Sequence, residues 1–247
     1  MESERLGELA ATAAQRDIVR YSDFLEIPQQ KAALAAAGHE GIGCTVWGGY
    51  PEAERKIARF APSWIETEAD WPFVRLRCTW NAKYASLGHR DVLGAILALG
   101  IAREKTGDIC MGDDFAQVFL RKDIAPYVIG SLESAGRATL TVSYEAEDAP
   151  VPLPKGTTMR TTVQSMRLDA IVAACCNISR AAAQELLRRG LVKRNHEETM
   201  KCDAQTARGD VLSVRGYGRW RIEEEQGETR KGRLGVLLFR FGEQRGK

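Results

Sequence analysis

The sequence has no Cys-x-x-Cys pair, and none of its six cysteines, at 44, 78, 110, 175, 176 and 202, has a histidine at zinc-finger spacing. Cys175 and Cys176 are adjacent, a poor geometry for a shared metal or a mutual disulfide. The thiols therefore read as small core residues in a reducing compartment. No stretch approaches the roughly 18 apolar residues of a membrane-spanning helix. The opening MESERLGELAATAAQRD has no apolar signal-peptide core. A cytoplasmic protein without a membrane partner is expected. His39 and His196 have no partner pattern, although His196 borders the basic strand, and no Ser/His/Asp or paired-carboxylate spacing emerges. Residues 100–107, GIAREKTG, lack the Gly-Lys-Ser/Thr order of a phosphate loop, and GGYP does not form a methyltransferase glycine loop. Neither metal nor cofactor is expected, and no repeat or low-complexity tract is present.

What is present is enough chain for two modest domains, 247 residues, with charge unevenly spread. From Pro154 onward, 19 Lys and Arg accompany 11 Asp and Glu, a net of +8, whereas the residues before carry −6. This asymmetry predicts an anionic partner for the C-terminal part.

Leu6, Leu9, Ala13, Ile18, Tyr21, Phe24 and Leu25 recur at helical spacing, so residues 1 to about 37 read as helix interrupted at Pro28, with Gly38 as C-cap. Val74–Trp80 alternates as a half-buried strand. His89–Gly100 reads as a helix, DICMG and AQVFLRK as a hairpin around Asp113 and Asp114, IAPYVIGSLESAG as a second helix and RATLTVSYE as a strand. That order fits a ferredoxin-like α/β plait. The three prolines of Glu147–Gly156 suggest a linker. The expected plan is α+β, with an N-terminal helical segment 1–40, a plait domain 41–147, a linker 148–158 and a C-terminal domain 159–247.

The C-terminal block carries the densest signal. Leu168, Ile171, Val172, Cys175 and Cys176 form one buried helical stripe. Asn177 ends that helix, Ser179 caps the next, and Gly190 closes it. Arg180, Gln184 and Arg188 make a polar stripe able to meet phosphates. LVKRN and GDVLSVRGYGRWRI read as strands, the second interleaving Arg215, Arg219 and Arg221 with Tyr217 and Trp220. Such basic residues supply phosphate affinity, and such aromatics offer stacking. Arg-Leu-Asp at 167–169 occurs in pseudouridine synthases, but here Asp169 opens a helix and is expected to cap or pair there rather than catalyse.

Arg167-Leu-Asp169, Ile178-Ser-Arg180, Ala183-Gln-Glu-Leu186, Gly190-Leu-Val-Lys193-x-Asn195 and Gly209-Asp-Val together resemble the αL RNA-binding motif of the S-four ribosomal-protein family. The resemblance implies RNA contacts by Arg167, Ser179, Arg180, Gln184, Arg188, Lys193, Asn195, Lys201 and Arg215, and Arg219 joins them from the basic strand. Arg194 departs from the pattern, where an inward apolar residue is commoner. GGYPEAERKIARFAP, LGHRDVLGAILALGIAREKTGDI and RGYGRWRIEEEQGETRKGRLGVLLFRF extend the likeness over nearly the whole chain to the YlmH family, also called RqcP. That resemblance implies a non-enzymatic factor, monomeric off the ribosome, on the large ribosomal subunit. It would contact rRNA and peptidyl-tRNA while tails are added to stalled nascent chains without mRNA.

His89, Arg90, Arg103 and Lys105 flank the middle helix and form a second group able to meet RNA. The alternative function is an RNA-modifying enzyme of pseudouridine synthase or methyltransferase type. It would require a polar pocket of titratable groups in the middle domain. The tail turns near Gln226-Gly227, followed by Arg230, Lys231 and Arg233. It either extends the RNA contact or packs Val236, Leu238 and Phe239 between domains.

Overall fold

The computed structural model describes residues 2–65, 70–152, 154–229 and 232–242. The chain divides into two compact units, Met1–Leu153 and Pro154–Lys247.

The first unit opens with α1 (Glu2–Arg16), β1 (Arg20–Leu25), α2 (Ile27–Glu40), β2 (Gly43–Trp47) and β3 (Lys56–Ala61). The strands form an antiparallel sheet in the order β1-β3-β2. Leu6, Ala10 and Ala13 of α1 and Ala33 and Ala37 of α2 cover one face, against Leu25, Ala58 and Phe60. The expected run of helix to residue 37 is therefore broken by a strand. Asp17, at φ 53, ends α1. Pro28 sits in the first turn of α2, where a missing N–H breaks no helical bond. The residues between are buried on both faces, and such a strand shows no polar–apolar alternation. Gly41, not Gly38, closes α2, at φ 69.

The plait follows. It contains β4 (Phe73–Thr79), α3 (His89–Ala98), a 3-10 turn (Arg103–Lys105), β5 (Thr106–Met111), β6 (Phe115–Arg121) and α4 (Ala125–Ser131). A ribbon of β7 (Ser134–Ala135) and β8 (Ala138–Thr139) leads to β9 (Thr141–Tyr144). The sheet runs β5-β6-β4-β9, antiparallel throughout, which is the ferredoxin-like order. Leu76, Cys78, Val118 and Leu120 meet Val92, Ile96 and Val128 of the helices on one face.

Phe73, Arg75, Arg77, Gln117 and Phe119 share the other face. Plait proteins of the RNA-recognition type stack bases on aromatics of this face. Here it is covered. Phe73 and Phe119 pack with Phe24 and Ile57 of the N-terminal sheet, and Tyr50 stacks on Phe119 at 5.4 Å. Arg75 donates to the carbonyls of Ala146, Glu147 and Ala149, and Gln117 Nε2 donates to Pro150 O at 2.9 Å.

These contacts correct the expected boundaries. A cut after residue 40 would separate β2 and β3 from their partner β1. The proline-rich stretch is anchored through Val151, and β10 (Gly156–Val163) begins inside the expected linker. Proline removes backbone donors, so side chains of the plait serve the strap's carbonyls instead.

The second unit continues with α5 (Leu168–Cys176), α6 (Arg180–Arg188), β11 (Val192–Arg194), β12 (Glu197–Glu198), β13 (Val211–Val214), β14 (Gly218–Glu228) and β15 (Leu234–Phe241). Its sheet runs β10-β15-β14-β13-β11-β12. Leu168, Ile171, Val172, Cys175, Ala183 and Leu187 pack on Val192, Leu212, Val214, Trp220 and Ile222. Val236 and Leu238 of the tail belong to this same core. Arg230 and Lys231 lie outside the described residues. Burial pushes the Cys175 thiol up and the Cys176 thiol to about 12, so neither is a thiolate at neutral pH. Among the described residues no helix is long and apolar enough to cross a membrane.

Candidate nucleic-acid interface

Asn177, at φ 53, reverses the chain after α5, and Ser179 caps α6, its Oγ accepting from the Ala182 amide at 3.1 Å. The first turns of the two helices meet at Asp169, whose carboxylate has no solvent exposure. Arg167 donates to it through Nε and Nη2, both at 3.3 Å, and Arg180 through Nε at 3.0 Å and Nη2 at 3.1 Å. Gln184 Nε2 adds a bond of 2.8 Å. Burial pushes this acid up, but the bonds from Arg180, Arg167 and Gln184 outweigh it and hold the acid at about 2.

Sequence reasoning aimed Arg167, Arg180 and Gln184 at RNA, and the structure spends much of them internally. Gln184 is committed to Asp169. Each guanidinium keeps Nη1 off the carboxylate, with side-chain exposures of 35% for Arg167 and 41% for Arg180. Ser179 serves as a cap.

A second buried carboxylate organises the strand side. Asn195 and His196, at φ 50 and 71, form the two-residue turn between β11 and β12. Asn195 Nδ2 donates to Asp210 Oδ1 at 2.7 Å, and its Oδ1 accepts from the Val211 amide at 2.8 Å. Both polar atoms of the Asn195 side chain are thus engaged within the fold. Arg194, the departure from the αL pattern, pairs across the sheet with Leu212, and its Nη2 lies 2.7 Å from Asp210 Oδ2. The charge that breaks the pattern is neutralised by Asp210.

The remaining cations are differently placed. Arg188 is exposed, with one 3.4 Å contact to Glu185 in its own helix. Arg189, Lys193, Lys201, Arg208 and Arg215 are exposed and form no side-chain hydrogen bond or ion pair among the described residues. Lys193 and Arg215 line a cleft of about 410 Å³ with Gly190, Leu191, Glu198, Ser213, Val214 and Gly218. Sequence reasoning missed Arg189 and Arg208; Arg189 adjoins the Gly190 cap, which was the available signal. Arg219 is half-buried, its guanidinium 4.7 Å from the Phe241 ring centroid and Nη2 3.5 Å from His196 Nε2. Trp220 is 1% exposed and belongs to the core, so it offers no stacking surface. Tyr217 is exposed.

The members of the second expected group are differently committed. Lys105 Nζ is paired with Asp23 of β1 at 2.9 Å. Arg103 Nη1 donates to the carbonyls of Thr106 at 2.6 Å and Gly107 at 3.3 Å. Both cations hold the first unit together. His89 opens α3, where burial and then the Arg103 charge lower its pKa, leaving it neutral at pH 7. The start of α3 is already served by Asp91, whose Oδ2 accepts from the Gly88 amide at 2.8 Å. His89 and Arg90 are the exposed members of the four, and among the described residues neither forms a side-chain hydrogen bond or ion pair.

A sheet-packed helix pair with a basic rim, joined to a capped plait, defines a two-unit α+β protein with one strongly cationic unit. Residues 2–63 match the family model "YlmH, N-terminal", and residues 67–148 match "Putative RNA-binding domain in YlmH". The chain is 33% identical over 224 residues to the ribosome-associated protein quality control protein P2 of Bacillus subtilis (strain 168), covering 90% of this chain and 87% of that protein. The chain belongs to the YlmH family. It also shares a fold with the cell division protein ylmH from Streptococcus pneumoniae, at a TM-score of 0.51 and 20% identity, over 59% of this chain and 89% of that one.

Proposed function

We propose that this chain is a cytoplasmic, ribosome-associated RNA-binding factor that holds rRNA and tRNA on the large subunit during quality control of stalled chains. The observation that carries the reading is the pair of cations Lys193 and Arg215 lining the cleft after α6, which form no ion pair among the described residues, with Arg188, Arg189 and Lys201 exposed in the same unit. Unpaired Lys and Arg on a preformed surface gain most from neutralising phosphates, because no internal ion pair has to break first. The Bacillus subtilis relative, a ribosome-associated protein quality control protein, supplies the ribosomal context and the quality-control role.

The reading is that of a binding protein. Asp108 and Cys110, titratable groups of the plait, are tied to the 50–55 loop: Asp108 accepts from Tyr50 Oη at 2.9 Å and from the Glu54 and Arg55 amides at 2.7 and 3.1 Å, and Cys110 Sγ lies 3.5 Å from Tyr50 Oη. Burial holds the Cys110 thiol at about 11, so it is not a poised nucleophile. The test is co-sedimentation with separated ribosomal subunits at two salt concentrations, with and without tRNA. Salt-sensitive binding to the large subunit, strengthened by tRNA, is expected. Binding to neither subunit would remove the reading.

A further inference from the structure

The sheet of the second unit has two faces, and only one is covered by α5 and α6. Cross-strand register sets what lies on the other. Lys193 pairs with Ser213 and Ser213 with Arg219; Arg221 pairs with Phe239. Strand alternation places these side chains, with Phe241, on the face away from the helices. There the two phenylalanines sit edge to face, centroids 5.1 Å apart, both half-buried. Arg219 lies 4.7 Å from the Phe241 centroid, and Arg221 lies 5.5 Å from that of Phe239. Because Lys193 and Ser213 also line the cleft, the cleft and the aromatic pair belong to one strip across four strands.

We propose that this strip is a track for unpaired nucleotides, entered at the cleft and ending with bases stacked on Phe239 and Phe241. It rests on the RNA-binding reading and adds a site to it. The argument is chemical. Aromatic faces beside guanidinium groups accept any base by stacking and its phosphate by charge. The strip holds both signs: Lys193, Arg219 and Arg221 stand with Glu198 opposite Lys193, Glu224 opposite Leu237, and Glu223, which is paired with Arg221 at 2.7 Å, so the guanidinium groups beside the two rings carry its phosphate-binding character. Exposed Arg160 adds charge from β10, opposite Leu237 of β15. The alternation of cation and ring matches the alternation of phosphate and base in a polynucleotide.

The experiment uses the full-length protein and two RNAs: a blunt stem-loop, and the same stem-loop with a single-stranded 3′ extension of about six nucleotides. The extension is expected to tighten binding about tenfold, the size of one base–aromatic stack. Phe239→Leu with Phe241→Leu keeps the apolar volume. It should erase that gain while leaving blunt stem-loop binding unchanged. Phe241→Tyr should keep the gain, which separates stacking from a folding defect. Photocrosslinking of 5-bromouridine in the extension should label β15. Equal affinity for the two RNAs, with stem-loop binding intact, overturns the track and leaves the wider reading standing. No affinity for either RNA removes both. Binding to phosphatidylglycerol vesicles that the leucine variant abolishes, without any gain from the RNA extension, assigns the strip to lipid and overturns the track.

Discussion

At Asp169 a carboxylate without solvent contact is kept ionised by Arg167, Arg180 and Gln184. Its acid is depressed to about 2, so it contributes stability above the ordinary aspartate range, and that contribution is lost as pH falls from about 4 to 2. The two guanidinium partners are partly hydrated, which limits the effect to about 1–2 kcal/mol. Urea unfolding of the wild type should show that loss across this window. Asp169→Asn should be less stable at pH 7, because two half-buried cations lose their counter-charge, and should show less of the acid-dependent loss. The same geometry separates two arginines that look equivalent on a helical wheel. Arg180→Ala should lower the unfolding midpoint, whereas Arg188→Ala should leave it within error and weaken RNA binding, as measured by thermal melts beside filter binding. The sequence pattern identified Arg167, Ser179, Arg180, Gln184 and Asn195 as one set. It could not show that Ser179 caps its own helix while the other four point at two buried aspartates, because a polar residue at a given spacing reads the same whether its partner is a phosphate, a backbone amide or a carboxylate.

Elements were legible where one face was wet. Val74–Trp80 alternates, α5 and α6 carry clear apolar stripes, and the plait order followed. β1 was missed because helices cover one side and the plait the other. The strap at 146–151 looked like a linker because its prolines mark absent secondary structure, and its anchors lie far back in sequence at Arg75 and Gln117. Arg75 is 9% exposed, and its charged bonds serve three carbonyls. Arg75→Ala should therefore cost about 1.5–3 kcal/mol, in the range of lost hydrogen bonds to a charged group. Hydrogen exchange should localise the change to 146–151 and the adjoining β4 and β6. Unchanged protection there would mean that the strap is held by Val151 and its apolar neighbours alone.

Across the whole molecule, the +8 net charge from Pro154 onward stands against −6 before it, and that imbalance was visible in composition alone. Composition cannot tell which cations are already spent. Lys105 and Arg103 count toward the charge of the first unit but are bound within it, while Lys193 and Arg215 are not. Salt dependence reads that difference directly. Each phosphate neutralised contributes about 0.7–0.9 to the slope of log affinity against log salt. Lys193→Ala with Arg215→Ala should thus flatten the slope by about 1.4–1.8 for an rRNA fragment titrated between about 50 and 200 mM salt, with the melting temperature unmoved. Lys105→Ala should do the reverse. It removes one of three cations around Asp23, which is 8% exposed and keeps Arg5 at 3.2 Å and Arg121 at 3.6 Å, and so lowers the melting temperature modestly while leaving the slope intact. A flattened slope in Lys105→Ala would place phosphates on the first unit as well, and the RNA would then have to be engaged by both units rather than by the cationic one alone.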